Sequence, residues 1–258
     1  SAFKHLKLNS IYTKFPVKST NLQQSISGLR ALSIKGANIT MPYKEKVCSK
    51  LDSLSEEAAL IGAVNTVHNK DNKLIGYNTD GKGFYKALKS ANMDLNSKIV
   101  LIGAGGAARS IGIHLAYKGV NDIIICNRTP SKAENLKGDI NKIRPNICLT
   151  IPFDTEALGD VIDKNDLVVN TIPINSTWGT SEFPLNLKKI IRKDINVCDI
   201  IYNPVETAFI KEAKLKGATI IYGYEMLLYQ GAIAFEIWTG LKAPIQIMRK
   251  VLKSYLFR

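Results

Sequence analysis

The stretch Lys98-Ile-Val-Leu-Ile-Gly103-Ala-Gly105-Gly-Ala-Ala108-Arg109 reads as a buried strand, a glycine turn and the opening of a helix. A lone Gly-x-Gly-x-x-Gly/Ala pattern is a weak signal. An apolar strand before it and helical sequence after it supply the context in which dinucleotides bind. Gly103 permits the tight turn, Gly105 lets a pyrophosphate approach the backbone, and Ala108 lets the helix pack close to the strand. The helix N-terminus adds unpaired N–H groups and a partial positive charge. Ala104, Gly106 and Ala107 complete the candidate phosphate loop. The plainer alternative is a tight turn that binds nothing.

The next strand ends Ile123-Ile-Ile-Cys126-Asn127-Arg128-Thr129. Folds selective for NAD place Asp or Glu here, for the adenosine ribose diol. This chain has Asn127 and Arg128, with Lys132 one turn on. A carboxylate would repel a 2′-phosphate, whereas a guanidinium clasps one bidentately. The expected cofactor is therefore NADP; the alternative is that Arg128 merely faces solvent.

Outward from this unit, helix-sized and strand-sized patterns alternate, which predicts a parallel sheet under helical cover. Downstream, helices are expected at 107–118, 131–143 and 207–216, and strands at 147–149, 167–170, 196–201 and 219–222. Two closing helices are expected at 226–239 and 244–257. Upstream, strands are expected at 10–17, within 32–40, at 63–68 and at 73–77, the last two joined by a hairpin-like turn at Asn69-Lys70-Asp71-Asn72. Thr40 and Pro42 suggest the start of a helix running through 44–51. Asp80 opens another, to about Ser90. The break near Asp80–Gly83 separates a first α/β unit from the one that begins at Lys98.

The 258 residues are 45% hydrophobic and 22% charged, an ordinary globular composition. At about 100–200 residues per domain, that is one large or two small domains, with core enough to need no disulfide or metal staple. Lys+Arg is 35 against 22 for Asp+Glu, a net charge of +13. Of the 35 basic residues 28 are Lys and 7 Arg. They are scattered, without the Arg enrichment that reads phosphates and base edges. A solvated basic surface that steers small anions fits better than nucleic-acid binding. Cys48, Cys126, Cys148 and Cys198 form no Cys-x-x-Cys pair, and His5, His68 and His114 are the only histidines, so no metal site is expected. Cys126 and Cys198 lie in apolar runs as small core residues, and a reducing cytoplasm is the simplest location. No apolar run has the length of a membrane span, and the N-terminus carries no signal-peptide pattern.

Three segments are polar where their surroundings are apolar: Asn38-Ile-Thr40-Met-Pro42-Tyr-Lys44, Gly62-Ala-Val-Asn65-Thr66 and Gly76-Tyr-Asn78-Thr79-Asp80-Gly81. Each follows or contains a strand end, where α/β proteins carry ligands. A lysine, a carboxylate, an amide and hydroxyls together suit a polyhydroxylated substrate. Lys44 can serve as an acid–base group if a helix N-terminus and desolvation lower its pKa. A nearby Asp80 would push the other way. The plain alternatives are a solvated lysine and a helix N-cap.

Read together, these segments resemble the shikimate dehydrogenase family. The resemblance extends collinearly from Gly36-Ala-Asn-Ile-Thr-Met-Pro-Tyr-Lys44 through the glycine loop and Asn127-Arg-Thr129. It continues into Asp199-Ile-Ile-Tyr202-Asn-Pro204 and Gly223-Tyr-Glu-Met-Leu-Leu-Tyr-Gln230-Gly-Ala. It implies two α/β domains, an NADP-binding Rossmann-like doubly wound sheet inserted in a discontinuous substrate-binding α/β domain. The expected ranges are 1–82 for the substrate-binding part, 83–222 for the NADP domain and 223–258 for the returning helices. It implies NADP-dependent interconversion of 3-dehydroshikimate and shikimate, a step of aromatic biosynthesis. Lys44 and Asp80 would be the catalytic pair. Thr40, Asn65, Asp80 and Gln230 would hold ring hydroxyls, and Tyr202 would approach the carboxylate. Glu56, Ile200 and Gly223 would line the cofactor beside Gly103–Ala107, Asn127, Arg128, Thr129 and Lys132.

The sequence departs from the family pattern in three places. A first strand and a Ser-x-Ser clamp for the substrate carboxylate are expected upstream of Ser1, since Ser25-Ile-Ser27 lies in the wrong context. The loop Asn170-Thr-Ile-Pro-Ile-Asn-Ser-Thr-Trp178-Gly179 is a variant, and Glu225 stands where a second glycine is common. A broader quinate/shikimate dehydrogenase is the alternative enzyme. A non-catalytic NADP-binding sensor on the same fold is the alternative of another class. A homodimer is the candidate assembly.

Overall fold

The structure is a computed structural model and describes residues 1–173 and 183–257. The part of the variant loop from Ile174 to Gly179 lies outside the described residues. The chain divides into two compact units, one made of Ser1–Gly83 and Leu228–Arg258, the other of Phe84–Leu227.

In the first unit four short strands, β1 (Gly36–Asn38), β2 (Ser53–Leu54), β3 (Thr66–Lys70) and β4 (Lys73–Tyr77), form a sheet in the order β1-β3-β4-β2. β3 and β4 are an antiparallel hairpin in which Lys70 faces Lys73. The two residues between them, Asp71 and Asn72, both have positive φ, the backbone that twists a two-residue turn to match its strands. β1 runs antiparallel to β3 and β2 parallel to β4. Leu22, Ile26 and Leu29 of the helix Leu22–Ala31 pack with Val47, Ala58, Val64, Val67 and Leu74. Spacings of three and four residues put the first three on one helical face. The closing helix Gly223–Thr239 sends Trp238 to the same sheet, where its indole N–H donates to the Val67 carbonyl at 2.9 Å. Phe3, Leu6 and Leu8 pack against Ala232 and Phe235.

Two upstream expectations fail. Residues 10–17 form no strand; they are almost entirely exposed. Pro16 cannot donate to a ladder. Their ties to the unit run through side chains: the Tyr12 hydroxyl donates to Asn38 Oδ1 and the Tyr43 hydroxyl to the Val17 carbonyl. The helix expected through 44–51 is a run of turns ending in the 3₁₀ segment Cys48–Lys50. The Lys44 carbonyl, which a helix would give to the Cys48 N–H, accepts from Val64 N at 2.8 Å, and Cys48 N turns to Glu45 O. A tertiary bond has taken the acceptor that would have propagated the helix. Thr40 accordingly caps no α-helix.

In the second unit six parallel strands, β5 (Ile99–Ile102), β6 (Ile123–Cys126), β7 (Cys148–Ile151), β8 (Leu167–Asn170), β9 (Asn196–Asp199) and β10 (Thr219–Tyr222), stand in the order β10-β9-β8-β5-β6-β7. This is the doubly wound order with its reversal between β5 and β8, and the crevice beyond the strand C-termini at that point is where such sheets bind ligands. β5, β6 and β8 are buried along their whole length, as a sheet covered on both faces requires. No helix of the described residues is long and apolar enough to cross a membrane.

Candidate active site

Pairing in the first sheet sets Asn38 opposite Thr66 and Thr66 opposite Tyr77. The three polar segments therefore meet at one end of that sheet. Asn65, just before β3, is buried at 3% exposure. Its side-chain oxygen accepts from Thr79 N (2.8 Å) and from the Thr66 hydroxyl (3.0 Å). With the oxygen so engaged, the amide nitrogen must face the other way. It donates to Asp80 Oδ1 at 2.8 Å and to Thr79 Oγ1 at 2.9 Å. Asn38 Nδ2 adds bonds to Asn65 O and Thr66 Oγ1, both 3.1 Å.

Asp80 opens the helix Asp80–Ser90. Gly83 N donates to Thr79 O, so Thr79 occupies the cap position and the Asp80 side chain is left for the site. Its Oδ2 accepts from Lys44 Nζ at 2.7 Å, the carboxylate mostly buried and the ammonium about one-third exposed. No α-helix begins at Lys44, so the expected helix-dipole influence on it is absent. Cys48 lies behind Lys44, its thiol donating to the Lys44 carbonyl at 3.5 Å; burial is the main influence pushing that thiol up. Gln230 comes within 3.5 Å of Thr79 Oγ1 through its Oε1. Thr40 is exposed beyond β1. Lysine, carboxylate, amides and hydroxyls thus converge as a set of fixed donors and acceptors.

Sequence reasoning left Thr66 and Thr79 without roles, although both are fully buried. The signal was present: adjacent polar pairs, Asn65-Thr66 and Thr79-Asp80, inside otherwise apolar strand ends. It also passed over Glu57. Glu56 is exposed at the start of the helix Glu56–Ile61, whereas Glu57 is buried and pairs with Lys82 at 3.0 Å.

The second unit carries the glycine loop. Gly103 has φ +114, and a Cβ there would sit 2.4 Å from Thr171 Oγ1. Only glycine fits both constraints. Gly105 and Gly106 have no atom within 4 Å of where a Cβ would be. The helix Gly106–Tyr117 starts without a side-chain cap on its first N–H groups, while Ala108 is fully buried. Asn127 braces the loop, accepting from Ala104 N (3.2 Å) and donating to Thr129 O (2.9 Å). Arg128, Thr129 and Lys132 are exposed at the end of β6. An open backbone cradle at a helix N-terminus, with two cations beyond the neighbouring strand, fits a dinucleotide carrying a 2′-phosphate. Ile200 is half-buried just past β9, and Gly223 is buried beside it. Tyr202 is exposed, and Glu225 half-buried.

Sequence profiles described as the shikimate dehydrogenase substrate binding domain, the shikimate/quinate 5-dehydrogenase and the shikimate 5′-dehydrogenase C-terminal domain match residues 1–67, 86–180 and 223–253. A shikimate dehydrogenase (NADP(+)) from Desulforamulus reducens is 42% identical over 254 residues, 98% of this chain and 87% of that protein. The shikimate 5-dehydrogenase of Listeria monocytogenes, solved with shikimate and NAD, superposes with TM-score 0.90 at 35% identity, covering 97% of this chain and 89% of the other. That of Thermus thermophilus, solved with NADP(H) and shikimate, gives TM-score 0.85 at 31% identity over 98% and 91%.

Proposed function

This chain belongs to the shikimate dehydrogenase family, and from that premise we infer that it is an NADP-dependent oxidoreductase interconverting 3-dehydroshikimate and shikimate. The observation that carries the reading is the Lys44–Asp80 pair, set by Asn65 at the end of a sheet whose unit matches the substrate-binding profile.

Held at the glycine loop, NADPH would supply the hydride for reduction of the ring ketone. Lys44 holds the proton at Nζ that the ketone oxygen takes as negative charge develops on it. Asp80 Oδ2 aims that ammonium, and Asn65 Nδ2 fixes the other carboxylate oxygen, so neither group need reorganise during the reaction. Asp80, Asn65, Thr40 and Gln230 hold the ring hydroxyls, and Tyr202 serves the carboxylate end. A site of committed donors and acceptors rejects analogues lacking the matching hydroxyl. On the cofactor side, Gly103–Ala107 take the pyrophosphate. Asn127, Arg128, Thr129 and Lys132 take the adenosine end with its 2′-phosphate, and Ile200 and Gly223 line the site; Glu56 is the cofactor-lining residue of the first unit. The free thiols of all four cysteines agree with a cytoplasmic location, and a homodimer is the assembly we propose.

The test is spectrophotometric: NADP reduction with shikimate, with quinate and with NAD as controls. Turnover with shikimate and NADP, and far lower kcat/KM with quinate or NAD, is the expected result. Comparable efficiency on quinate would establish the broader quinate/shikimate enzyme. NADPH binding without turnover would establish a sensor.

A further inference from the structure

At the C-terminal ends of β8, β9 and β10 lies a buried carboxylate that the mechanism does not use. Asp199, the last residue of β9, is completely buried. Its Oδ1 accepts from Asn170 Nδ2 and from Ile201 N, both at 3.0 Å, and its Oδ2 accepts from the Thr207 hydroxyl at 2.6 Å. Asn170 ends β8, and Thr207 caps the helix Ala208–Lys216 by accepting from Ile210 N. One side chain therefore ties together two strand ends, the backbone that follows β9 and the start of a helix.

The backbone it ties is the segment 199–201. Ile200 N donates to Asn170 O at 3.1 Å, and Ile201 N is held by Asp199 itself. On the other side Gly223 presses so close that a Cβ would lie 2.5 Å from the carbonyl oxygens of Asp199 and Ile200. The segment is clamped between a carboxylate and a glycine. It stands at the strand C-termini, where parallel sheets of this order carry their ligand.

We propose that Asp199 is a positioning residue for cofactor binding: through Ile201 N, Asn170 and Thr207 it fixes the Ile200 backbone in the form that receives the nucleotide. This rests on the reading of the second unit as the NADP-binding one. Three donors satisfy three of the carboxylate's acceptor sites without any cation among its bonded partners. A buried carboxylate is costly to keep ionised without a counter-charge, and mere support of the fold would be served as well by apolar packing. Burial pushes this carboxyl up to about 6 against the opposing pull of Thr207, Ile201 and Asn170, which leaves it ionised and held at neutral pH.

The experiment compares Kd for NADPH and Kd for shikimate, at pH 8, in wild type, Asp199→Ala, Asp199→Asn and Thr207→Val. Asp199→Ala is expected to weaken NADPH binding about tenfold or more, the size of one or two lost buried hydrogen bonds, with shikimate binding, which shares this segment only through Tyr202, weakened less than about threefold. Asp199→Asn keeps an oxygen for Asn170 and Ile201 and can reverse the bond to Thr207, so it should restore NADPH affinity to within about threefold. If Asp199→Ala does not fold, Thr207→Val carries the test with the same split. Equal weakening of both ligands, or NADPH affinity at the wild-type level in Asp199→Ala and Thr207→Val, overturns the proposal. A wild type that binds no NADPH overturns the assignment of the second unit, and this proposal with it.

Discussion

Lys44 Nζ and Asp80 Oδ2 lie 2.7 Å apart, and the other oxygen of the same carboxylate is held at 2.8 Å by the Asn65 amide. The lysine is thus fixed by a carboxylate that is itself fixed. Truncating Lys44 removes the proton source and leaves Asp80 in place. Lys44→Ala should lower kcat by about 10²–10⁴, the usual worth of a positioned acid–base group, with KM for shikimate changed only modestly. That split marks an interaction made mainly in the transition state. A kcat near wild type would make Lys44 a binding residue or a bystander.

Asn65 has the opposite profile, because its amide serves structure as well as substrate. Asn65→Ala leaves Thr79 N and Asp80 Oδ1 without their buried partner. Each such loss costs about 1–3 kcal/mol. The variant should show a lower urea midpoint than wild type together with a raised KM for shikimate. An unchanged midpoint would mean that water or a rotated Thr79 replaces the amide at little cost.

These two residues also show what the sequence could and could not reveal. The polar segments were legible because hydroxyls, amides and charges interrupt apolar strand ends, and the parallel sheet of the second unit was legible in the alternation around the glycine loop, its doubly wound order only through the family resemblance. The supports were not. Thr79 orients Asn65 through bonds to both ends of its amide from 14 residues away, which no local pattern records, and the neighbouring Thr66 hydroxyl completes the set. The 44–51 segment has helix-compatible composition, yet Val64 N captures the Lys44 carbonyl, a tertiary bond that periodicity cannot foresee. Residues 10–17 have the look of a short strand, but a strand exists only where a partner edge accepts it, and this segment pairs with none among the described residues.

Cofactor choice rests on Arg128, exposed at the tip of β6 where a carboxylate would favour NAD. Arg128→Ala removes a charge-assisted contact worth about 1.5–3 kcal/mol. KM for NADPH should rise roughly tenfold to a hundredfold, while kcat and KM for shikimate stay close to wild type. The ratio of kcat/KM for NADPH over NADH should fall by a similar factor. A ratio that does not move would shift the 2′-phosphate assignment to Lys132 and its neighbours.

Gly103 combines a positive φ with a wall, Thr171 Oγ1, at 2.4 Å from any added Cβ. A left-handed backbone costs an L-residue about 1–2 kcal/mol, and overpacking adds about 1–3. Gly103→Ala should therefore lower the urea midpoint and weaken NADPH binding together. Gly105→Ala, with no atom within 4 Å of its added methyl, should weaken NADPH binding at unchanged stability. If both variants lose stability alike, the openness of the Gly105 cradle is not what the nucleotide uses.

Asp199 makes a prediction in pH that is opposite in sign to that of the ion-paired Asp139 and Asp163. Its folded-state value of about 6 lies above the ordinary aspartate value of about 3.9 expected when unfolded. The folded state therefore binds the proton more tightly. Between roughly pH 4 and pH 6 the folded protein keeps a proton that the unfolded chain has lost, so this group's contribution to stability falls as pH rises through that window. Asp139 and Asp163, lowered by hydrogen bonds from Arg109 and from Lys98, act in the opposite sense, which hides the effect in wild type alone. The groups bonded to Asp199 are an amide, a hydroxyl and a backbone N–H; the adjacent Cys198 thiol senses it, pushed up mainly by burial and further by this carboxylate. The comparison with Asp199→Asn cancels the shared carboxylates. The variant's stability relative to wild type should rise by roughly 1–3 kcal/mol from pH 4 to pH 7 and level off above that, since a tenfold difference in proton affinity between the folded and unfolded states is worth about 1.4 kcal/mol. Urea denaturation of the pair across that range reads it directly. A difference that stays constant with pH would mean that the Asp199 carboxyl carries the same charge on both sides of the unfolding transition.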